Sequence, residues 1–459
     1  MRKSRSALPE RALKTMPPAR RVAYLTLEQC RARDDMPGVP LQAALDQALR
    51  AARLGPLDAA LATNLAYGLP RFRERLEWLL NRFLKRPDRI IPAHKDILRL
   101  AAYELIFLDA VPAYASLNWA VETSKAAFGP TLGALTNAVL RKVAALGEKT
   151  CDHAFFASEI KDPHELHSVW HCQPAWIINH FSGCYPESEA RAYLEAFTAE
   201  AVMGVRLNTR KSGWEALAAE LSATEGCLAA QGASLLFSAA HKPAKLEQLI
   251  REGRASRQSY AAQEALTALL NIAAASPDFS QTLQNGVWDA CAGHGGKTCA
   301  LLEQGIPVKL AGDPHTGRLK GLREDLARLG LTDIAPALAA ADAAASCPLR
   351  ACPPVILADV PCSGLGTLGR RPDIKYNRKP EDLPALAALQ TRIINNLYTC
   401  LPAGGYLLYL TCTLNPAENE NQITSLLARH PKAELIGVRQ TPPDSPAHEF
   451  FYGAVIRKE

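Results

Sequence analysis

The sequence predicts a multidomain protein: an all-α N-terminal domain, a small α+β adaptor and a C-terminal doubly wound α/β domain. Three observations predict it. Apolar residues recur at helical spacing from 21 to about 145, strand and helix signals alternate from about 258 onward, and a glycine-rich turn follows the first strand of that alternation. With 459 residues, 48% of them hydrophobic and 21% charged, the chain is long enough for two or three buried cores.

Residues 1–20 are basic and spotted with proline, the composition of a solvated tail. Over 21–148 the spacing of Leu76, Leu79, Leu80 and Phe83 is that of an amphipathic helix, and few stretches alternate as strands do. Charge is unevenly placed. Residues 1–150 carry 24 Lys and Arg against 14 Asp and Glu, so the net charge of +6 comes from the N-terminal third. Such an excess suits a module that binds a polyanion, because neutralising phosphates gives affinity without sequence preference.

Over 149–256 the pattern is mixed, with a helix at 187–197, a strand at 201–207 and a helix at 213–221. In the last domain, 257–459, strands are expected at 286–289, 308–313, 355–359 and 405–410, with helices at 298–303, 318–329 and 384–401. No apolar run approaches the roughly 18 to 20 residues that a bilayer needs, so no membrane partner is expected. The 12 cysteines include no Cys-x-x-Cys pair and the first residues have no apolar signal core, so a cytoplasmic, reducing location without a bound metal is expected. A monomer is expected.

The first strand of the α/β domain runs into Asp289-Ala290-Cys291-Ala292-Gly293-His294-Gly295-Gly296-Lys297, and a helix follows. Glycines there let the backbone turn sharply and approach a ligand closely. The second strand ends in Gly312-Asp313, where a carboxylate can accept hydrogen bonds from ribose hydroxyls, so a nucleoside-bearing cofactor is expected in a Rossmann-like site. Gly296-Lys297-Thr298 resembles the end of a P-loop, but Cys291 stands where that loop needs its first glycine.

Two further strands deliver thiols. The strand at 355–359 leads into Asp359-Val360-Pro361-Cys362-Ser363-Gly364, and the one at 405–410 into Thr411-Cys412-Thr413. Ligands of open α/β sheets bind at the carboxyl ends of strands, so both thiols are expected to face the cofactor crevice. Cys347, Cys352 and Cys400, in more apolar surroundings, read as packing residues. A zinc deaminase is excluded, since Pro361-Cys362 is followed by Ser363, Gly364 and Leu365 and lacks the second cysteine. Cytosine C5 is a poor nucleophile, and methylating it calls for a thiolate that adds to C6. Either thiol could attack. Charge built up on the ring needs an acid or donor at N3, a role open to Asp359.

These residues resemble the RsmB/Sun (Fmu) family of ribosomal RNA cytosine-5 methyltransferases over nearly the whole chain. Asp289 to Thr298 is similar to the family's S-adenosylmethionine loop, Asp359 to Gly366 to its Asp-x-Pro-Cys-Ser-Gly-x-Gly motif, and Thr411-Cys412 with Glu418-Asn419-Glu420 to its Thr-Cys motif. The resemblance implies methyl transfer from S-adenosylmethionine to a cytosine of 16S ribosomal RNA, with Cys412 as nucleophile and Cys362 assisting release. It further implies that Cys291, Ala292, Gly293, His294, Gly295, Gly296 and Lys297 surround the methionine end of the cofactor. Asp313 would then hold the ribose, Asp342 lie near the adenine and Asp359 near the reactive end, with Lys297 also open to orienting the acidic groups of the site.

The N-terminal domain resembles the NusB-type RNA-binding fold in Leu65-Ala66-Tyr67-Gly68, Val111-Pro112-Ala113-Tyr114-Ala115 and Asn137-Ala138-Val139-Leu140-Arg141. That likeness makes Arg71, Arg73, Arg75 and Arg141 candidate phosphate contacts. The chain departs from the family pattern at Gly293-His294, commonly Ala-Pro. It departs again at Ser259 and Ala262, in a stretch commonly Gln-Asp-x-x-Ser, and at His448-Glu449, commonly Asp-Gly. The intact Cys362, Cys412 and Asp313 argue against the rival reading, a non-catalytic RNA-binding or assembly factor; another RNA as substrate stays open.

Overall fold

Proline opens helix after helix in the first part of the chain. Pro18, Pro56, Pro92, Pro130 and Pro163 each sit in the first turn, where the missing N–H costs no intrahelical bond and the fixed φ suits the helix. In the computed structural model, which describes residues 7–31, 38–345 and 350–459, these helices belong to one unit, residues 1–190 with 371–378. A second unit holds 191–370 and 379–459.

In the first unit the helices Pro56–Asn81, Pro92–Phe107, Ala113–Phe128 and Pro130–Ala144 bury Leu65, Leu76, Leu80, Ile97, Leu100, Trp119, Val139 and Leu140 in one core. The expected tail is corrected here. Glu10–Thr15 is helical, Leu8, Ala12 and Met16 are buried in that core, and Arg20 pairs with the buried Glu104 at 2.6 Å. Residues 1–6 lie outside the described residues.

The adaptor expected over 149–256 is divided between the units. Leu79, on another face of the long helix from Leu76 and Leu80, packs with Phe156, Ile160 and Val169, which holds the helices His153–Glu159 and Pro163–Trp170 to the first unit. Pro70 interrupts that long helix, and Phe72 leaves helical geometry at φ −107°. The carbonyls freed by the break are satisfied from 371–378: Pro70 O accepts from the Tyr376 hydroxyl at 3.0 Å and Arg71 O from Lys375 Nζ at 2.9 Å.

The second unit contains two sheets. The smaller is antiparallel in the order β2 (Cys227–Gln231), β3 (Ser234–Ser238), β1 (Val202–Leu207), β4 (Ala255–Arg257). The larger has seven strands in the order β10 (Ala433–Gln440), β11 (Tyr452–Lys458), β9 (Tyr406–Thr411), β8 (Val355–Asp359), β5 (Val287–Asp289), β6 (Val308–Gly312), β7 (Ala337–Ala339). The five strands from β9 to β7 run parallel, and β11 and β10 add an antiparallel edge.

Alternation with period two distributes the parallel strands between two cores. Val355 and Leu357 face the helices Tyr260–Ala273 and Gly296–Glu303, whereas Ile356 and Ala358 face Asp382–Cys400 and Glu420–Arg429. Cys352 and Cys400 pack against the second of these cores, and Cys347 lies outside the described residues. Strand order reverses between β5 and β8, so the crevice at their carboxyl ends is the place where an α/β sheet of this kind binds ligands. Among the described residues no helix is long and apolar enough to cross a membrane.

Candidate active site

The glycine loop after β5 depends on backbone that only glycine adopts easily. Gly293 and Gly295 have φ of +56° and +82°, and a Cβ on Gly295 would stand 2.1 Å from Leu322 Cδ1. The Ala292 amide donates to Gly312 O at 2.9 Å, which ties the loop to the end of β6. At that end the buried Asp313 accepts from the Gly293 amide at 3.2 Å and the His315 amide at 2.8 Å, and Arg318 lies 3.3 Å from its second oxygen. Asp342 is exposed on the loop after β7, where it accepts from the Ala344 amide at 2.9 Å, and His294 is exposed at the crest of the glycine loop.

Asp289 ends β5 almost fully buried. One of its oxygens accepts from Thr298 Oγ1 at 2.6 Å, and the other has no hydrogen-bond partner. Burial pushes its carboxyl up to about 6 despite the Thr298 bond. Burial, and then Asp289, Asp359, Asp313 and Asp342, raise the Cys291 thiol well above the ordinary range, so Cys291 is no nucleophile. Four carboxylates converge on the loop; Lys297 lies 2.5 Å from Asp359 Oδ2 and Arg318 3.3 Å from Asp313 Oδ2. Burial, the largest single influence, would lower the Lys297 ammonium, but Asp359, Asp289 and Cys412 together outweigh it and the net shift is upward. A cradle this acidic, with a strand-end carboxylate and open space over Gly293, fits a nucleoside that also bears cationic groups.

The two thiols meet beside this cradle. Asp359 and Leu410 are register partners in β8 and β9, and the loops leaving those strands bring Cys362 Sγ to 3.2 Å from Cys412 Sγ. The Cys412 amide also points at Cys362 Sγ, at 3.4 Å. The loops are fastened by Ser363 Oγ to Thr413 Oγ1 at 2.7 Å and by the Gly366 amide to Cys412 O at 3.1 Å, while a Cβ on Gly366 would meet Phe450 O at 2.1 Å. Its hydrogen bond with Cys412, then burial, and then the charges of Cys412 and Glu418 raise the Cys362 thiol well above its ordinary value. Lys297 lies in the field of Cys412, an ammonium on the side that favours a thiolate there.

Sequence reasoning missed three contributors. Glu418 is fully buried and accepts from the Ser363 amide. Gln390 donates to Pro361 O at 2.9 Å and to Glu418 at 2.8 Å. Arg206, on β1, pairs with Glu303 at 2.7 Å and donates to Gly296 O at 2.8 Å and to Gln258. Only Glu418 left a signal, as a letter in a quoted motif. A cavity of about 240 Å³ beside the loop is lined by Arg206, Cys299, Asp325 and Arg328, and by neither thiol nor Asp359. Arg206 and Arg328 of that cavity are committed to Glu303, Asp325 and main-chain oxygens, and Arg257 to Glu247.

Of the four candidate phosphate contacts, Arg75 is corrected. It is 7% exposed, donates to Trp170 O at 2.6 Å and lies 4.6 Å over the Trp170 ring, so it holds the first unit together. Arg71 is half-buried, and burial lowers its pKa. Arg73 is paired with Glu77 at 2.6 Å with its side chain 36% exposed, and Arg141 is exposed with Asn137 as a neighbour at 3.0 Å.

Two of the departures from the family pattern meet in space. The Ser259 hydroxyl caps the helix Tyr260–Ala273 by accepting from the Ala262 amide at 3.1 Å and itself donates to the Glu449 carboxylate, which Arg370 approaches at 3.3 Å. The carboxylate at this junction comes from Glu449.

Comparison with known proteins agrees with this geometry. The family described as "16S rRNA methyltransferase RsmB/F" matches residues 280–450, and the NusB family matches residues 17–145. The chain is 31% identical to "Probable ribosomal RNA small subunit methyltransferase B" of Synechocystis sp., covering 90% of this chain and 89% of that one. It is 32% identical to "Ribosomal RNA small subunit methyltransferase B" of Vibrio cholerae, covering 92% and 95%. Among solved structures, PH0851 shares the fold over 98% of this chain and 99% of its own at a TM-score of 0.71 and 19% identity. NSun6 of Pyrococcus horikoshii does so over 62% and 98% at 0.51 and 19%.

Proposed function

The chain belongs to the RsmB/F family of 16S rRNA methyltransferases, and from that premise we propose that it transfers a methyl group from S-adenosylmethionine to C5 of a cytosine in small-subunit ribosomal RNA, through a bond between Cys412 Sγ and C6 of the base. The observation that carries this reading is the pair of thiols at the ends of two adjacent parallel strands, 3.2 Å apart beside the Lys297–Asp359 pair.

S-adenosylmethionine supplies an electrophilic methyl group on a positively charged sulfur. The acidic cradle suits that charge: residues 291–297 would surround the methionine end, Asp313 would hold the ribose, Asp342 would lie on the adenine side and Asp359 toward the reactive end. The target base must leave its stack to reach the thiols. Cys412 Sγ attacks C6, the ring electrons move toward N3, and Asp359 with Lys297 on its Oδ2 delivers a shared proton there. C5, now electron-rich, takes the methyl group.

Release needs the C5 proton removed and the C6–S bond broken. Cys362 gives its own proton to the departing Cys412 Sγ and receives the C5 proton, N3 returns its proton to the Asp359–Lys297 pair and the base regains its aromatic ring, and Cys412 then loses one proton to solvent to become a thiolate again. In the NusB-like unit, Arg141 and the exposed part of Arg73 are the proposed contacts to RNA phosphates. Bisulfite sequencing of 16S rRNA from cells with and without this chain tests the reading: one protected cytosine should lose protection when the chain is absent. Full retention of every protected cytosine would refute it.

A further inference from the structure

Glu418 stands between the two thiol loops and bonds to both of them. It is 0% exposed, and its partners are all neutral N–H donors: the Ser363 amide at 2.8 Å, Gln390 Nε2 at 2.8 Å and Asn415 Nδ2 at 3.0 Å. Ser363 follows Cys362 directly, and Asn415 belongs to the loop that leaves Cys412. Gln390 Nε2 also holds Pro361 O at 2.9 Å, so the residues on both sides of Cys362 are fixed through one carboxylate and one amide. The turn that carries Glu418 is pinned in its own right, because its carbonyl accepts from the Tyr409 hydroxyl at 2.7 Å and Asn419 bonds Thr411 Oγ1 and Thr413 O at 2.6 and 2.9 Å.

A buried carboxylate costs free energy that neutral donors offset only in part, and its field acts on whatever titrates nearby. Both carboxylate oxygens are needed to accept from the three donors, and the negative charge that comes with them lies beside the Cys362 loop. We infer that Glu418 is a positioning residue that clamps the two thiol loops together and, through its charge, keeps Cys362 in the neutral, proton-bearing form. The inference rests on the reaction proposed above, in which one thiol must attack as an anion while the other keeps a proton to return to it.

Cys412, Glu418 and Tyr409 act on Cys362, and none of these three brings positive charge. The hydrogen bond with Cys412 and burial act first, and the negative field of Glu418 adds to them in the direction of the thiol. Lys297 acts on Cys412 and Glu418 on Cys362, so the two sulfurs, although in contact, have charges of opposite sign among their neighbours.

The test uses the full chain carrying Cys412→Ser, with and without Glu418→Gln, and follows iodoacetamide labelling of the Cys362 peptide by mass spectrometry from pH 7 to 11. Glutamine keeps the length of the side chain, and its oxygen can still accept from the Ser363 amide and Gln390 Nε2, which both bond the same oxygen of Glu418. The expected result is a labelling midpoint about one pH unit lower with Glu418→Gln, and labelling roughly tenfold faster below the midpoint. An unchanged midpoint overturns the inference, as does a uniform rise in rate at every pH, which means that Glu418 only closes access. Should the glutamine variant fail to fold, Glu418→Asp keeps the charge and should keep the parental midpoint; a fall to the ordinary thiol value overturns the inference. Labelling needs neither RNA nor cofactor, so its failure is distinct from failure of the proposed reaction.

Discussion

Lys297 Nζ lies 2.5 Å from Asp359 Oδ2, joining the first turn of the helix after the glycine loop to the end of β8. In the proposed reaction the pair lies between the glycine loop and Cys412, where charge would change. Replacing Lys297 with Met leaves Asp359 without its cation and Cys412 without a nearby ammonium. Single-turnover methylation should slow by roughly 10²-fold or more, while thermal stability changes little. A rate within twofold of the parent would remove Lys297 from the chemistry.

Ser259 and Glu449 should behave as one unit. Ser259→Asp alone sets two carboxylates in contact at a buried junction and should cost about 3 kcal/mol. Adding Glu449→Gly to it should recover most of that loss, because one carboxylate then remains to face Arg370. Thermal unfolding of the two single variants and the double variant measures the coupling, and additive losses would contradict it.

Arg206 lends the glycine loop its support from the small sheet. Arg206→Met strands the buried Glu303, whose carboxyl is already raised by burial, and removes a donor from Gly296 O. The expected cost is about 3–5 kcal/mol, together with weaker binding of S-adenosylmethionine in calorimetric titration. Arg206→Lys should not restore binding, since one ammonium cannot reproduce the fork. Parental affinity in either variant would show that the loop stands without this support.

His94 is fully buried in the first unit, with Nε2 2.8 Å from Thr136 Oγ1, and burial lowers its pKa to about 4. A folded value below the unfolded one means that stability is fully present above the unfolded pKa and is lost as pH falls toward the folded one. The loss from pH 7 to pH 5 should be about 2 kcal/mol from this residue. Denaturant unfolding of the wild type and of His94→Leu at both pH values measures it: the variant should lack this share of the pH dependence, and equal dependence in both would contradict it.

Much of the second unit was legible because its strands are either all apolar, as at Val355–Ala358, or end in residues whose chemistry points outward, as Asp313, Asp359 and Cys412 do. What escaped lacked a local signal. The strand Ala337–Ala339 is alanine and leucine, poor in β propensity, and exists because β6 offers it an edge. The antiparallel pair β10 and β11 follows the last motif, with no catalytic residue to draw notice. Helices at 153–184 read as part of an adaptor, yet Leu79 gathers them into the first unit. In the site, Arg206 and Glu303 are 97 residues apart, and Glu418 draws its donors from three segments. Arg75 shows the opposite failure: its basic character suggested phosphate binding, but an aromatic cluster 95 residues on claims it.

The most direct test of the account concerns the division of labour between the thiols. Purified Cys362→Ala, incubated with 16S rRNA and S-adenosylmethionine, should accumulate a protein–RNA adduct that survives denaturing electrophoresis, because Cys412 attacks and release is slow. Cys412→Ala should give no adduct and no methylated cytosine, and an adduct formed by Cys412→Ala but not by Cys362→Ala would reverse the two roles.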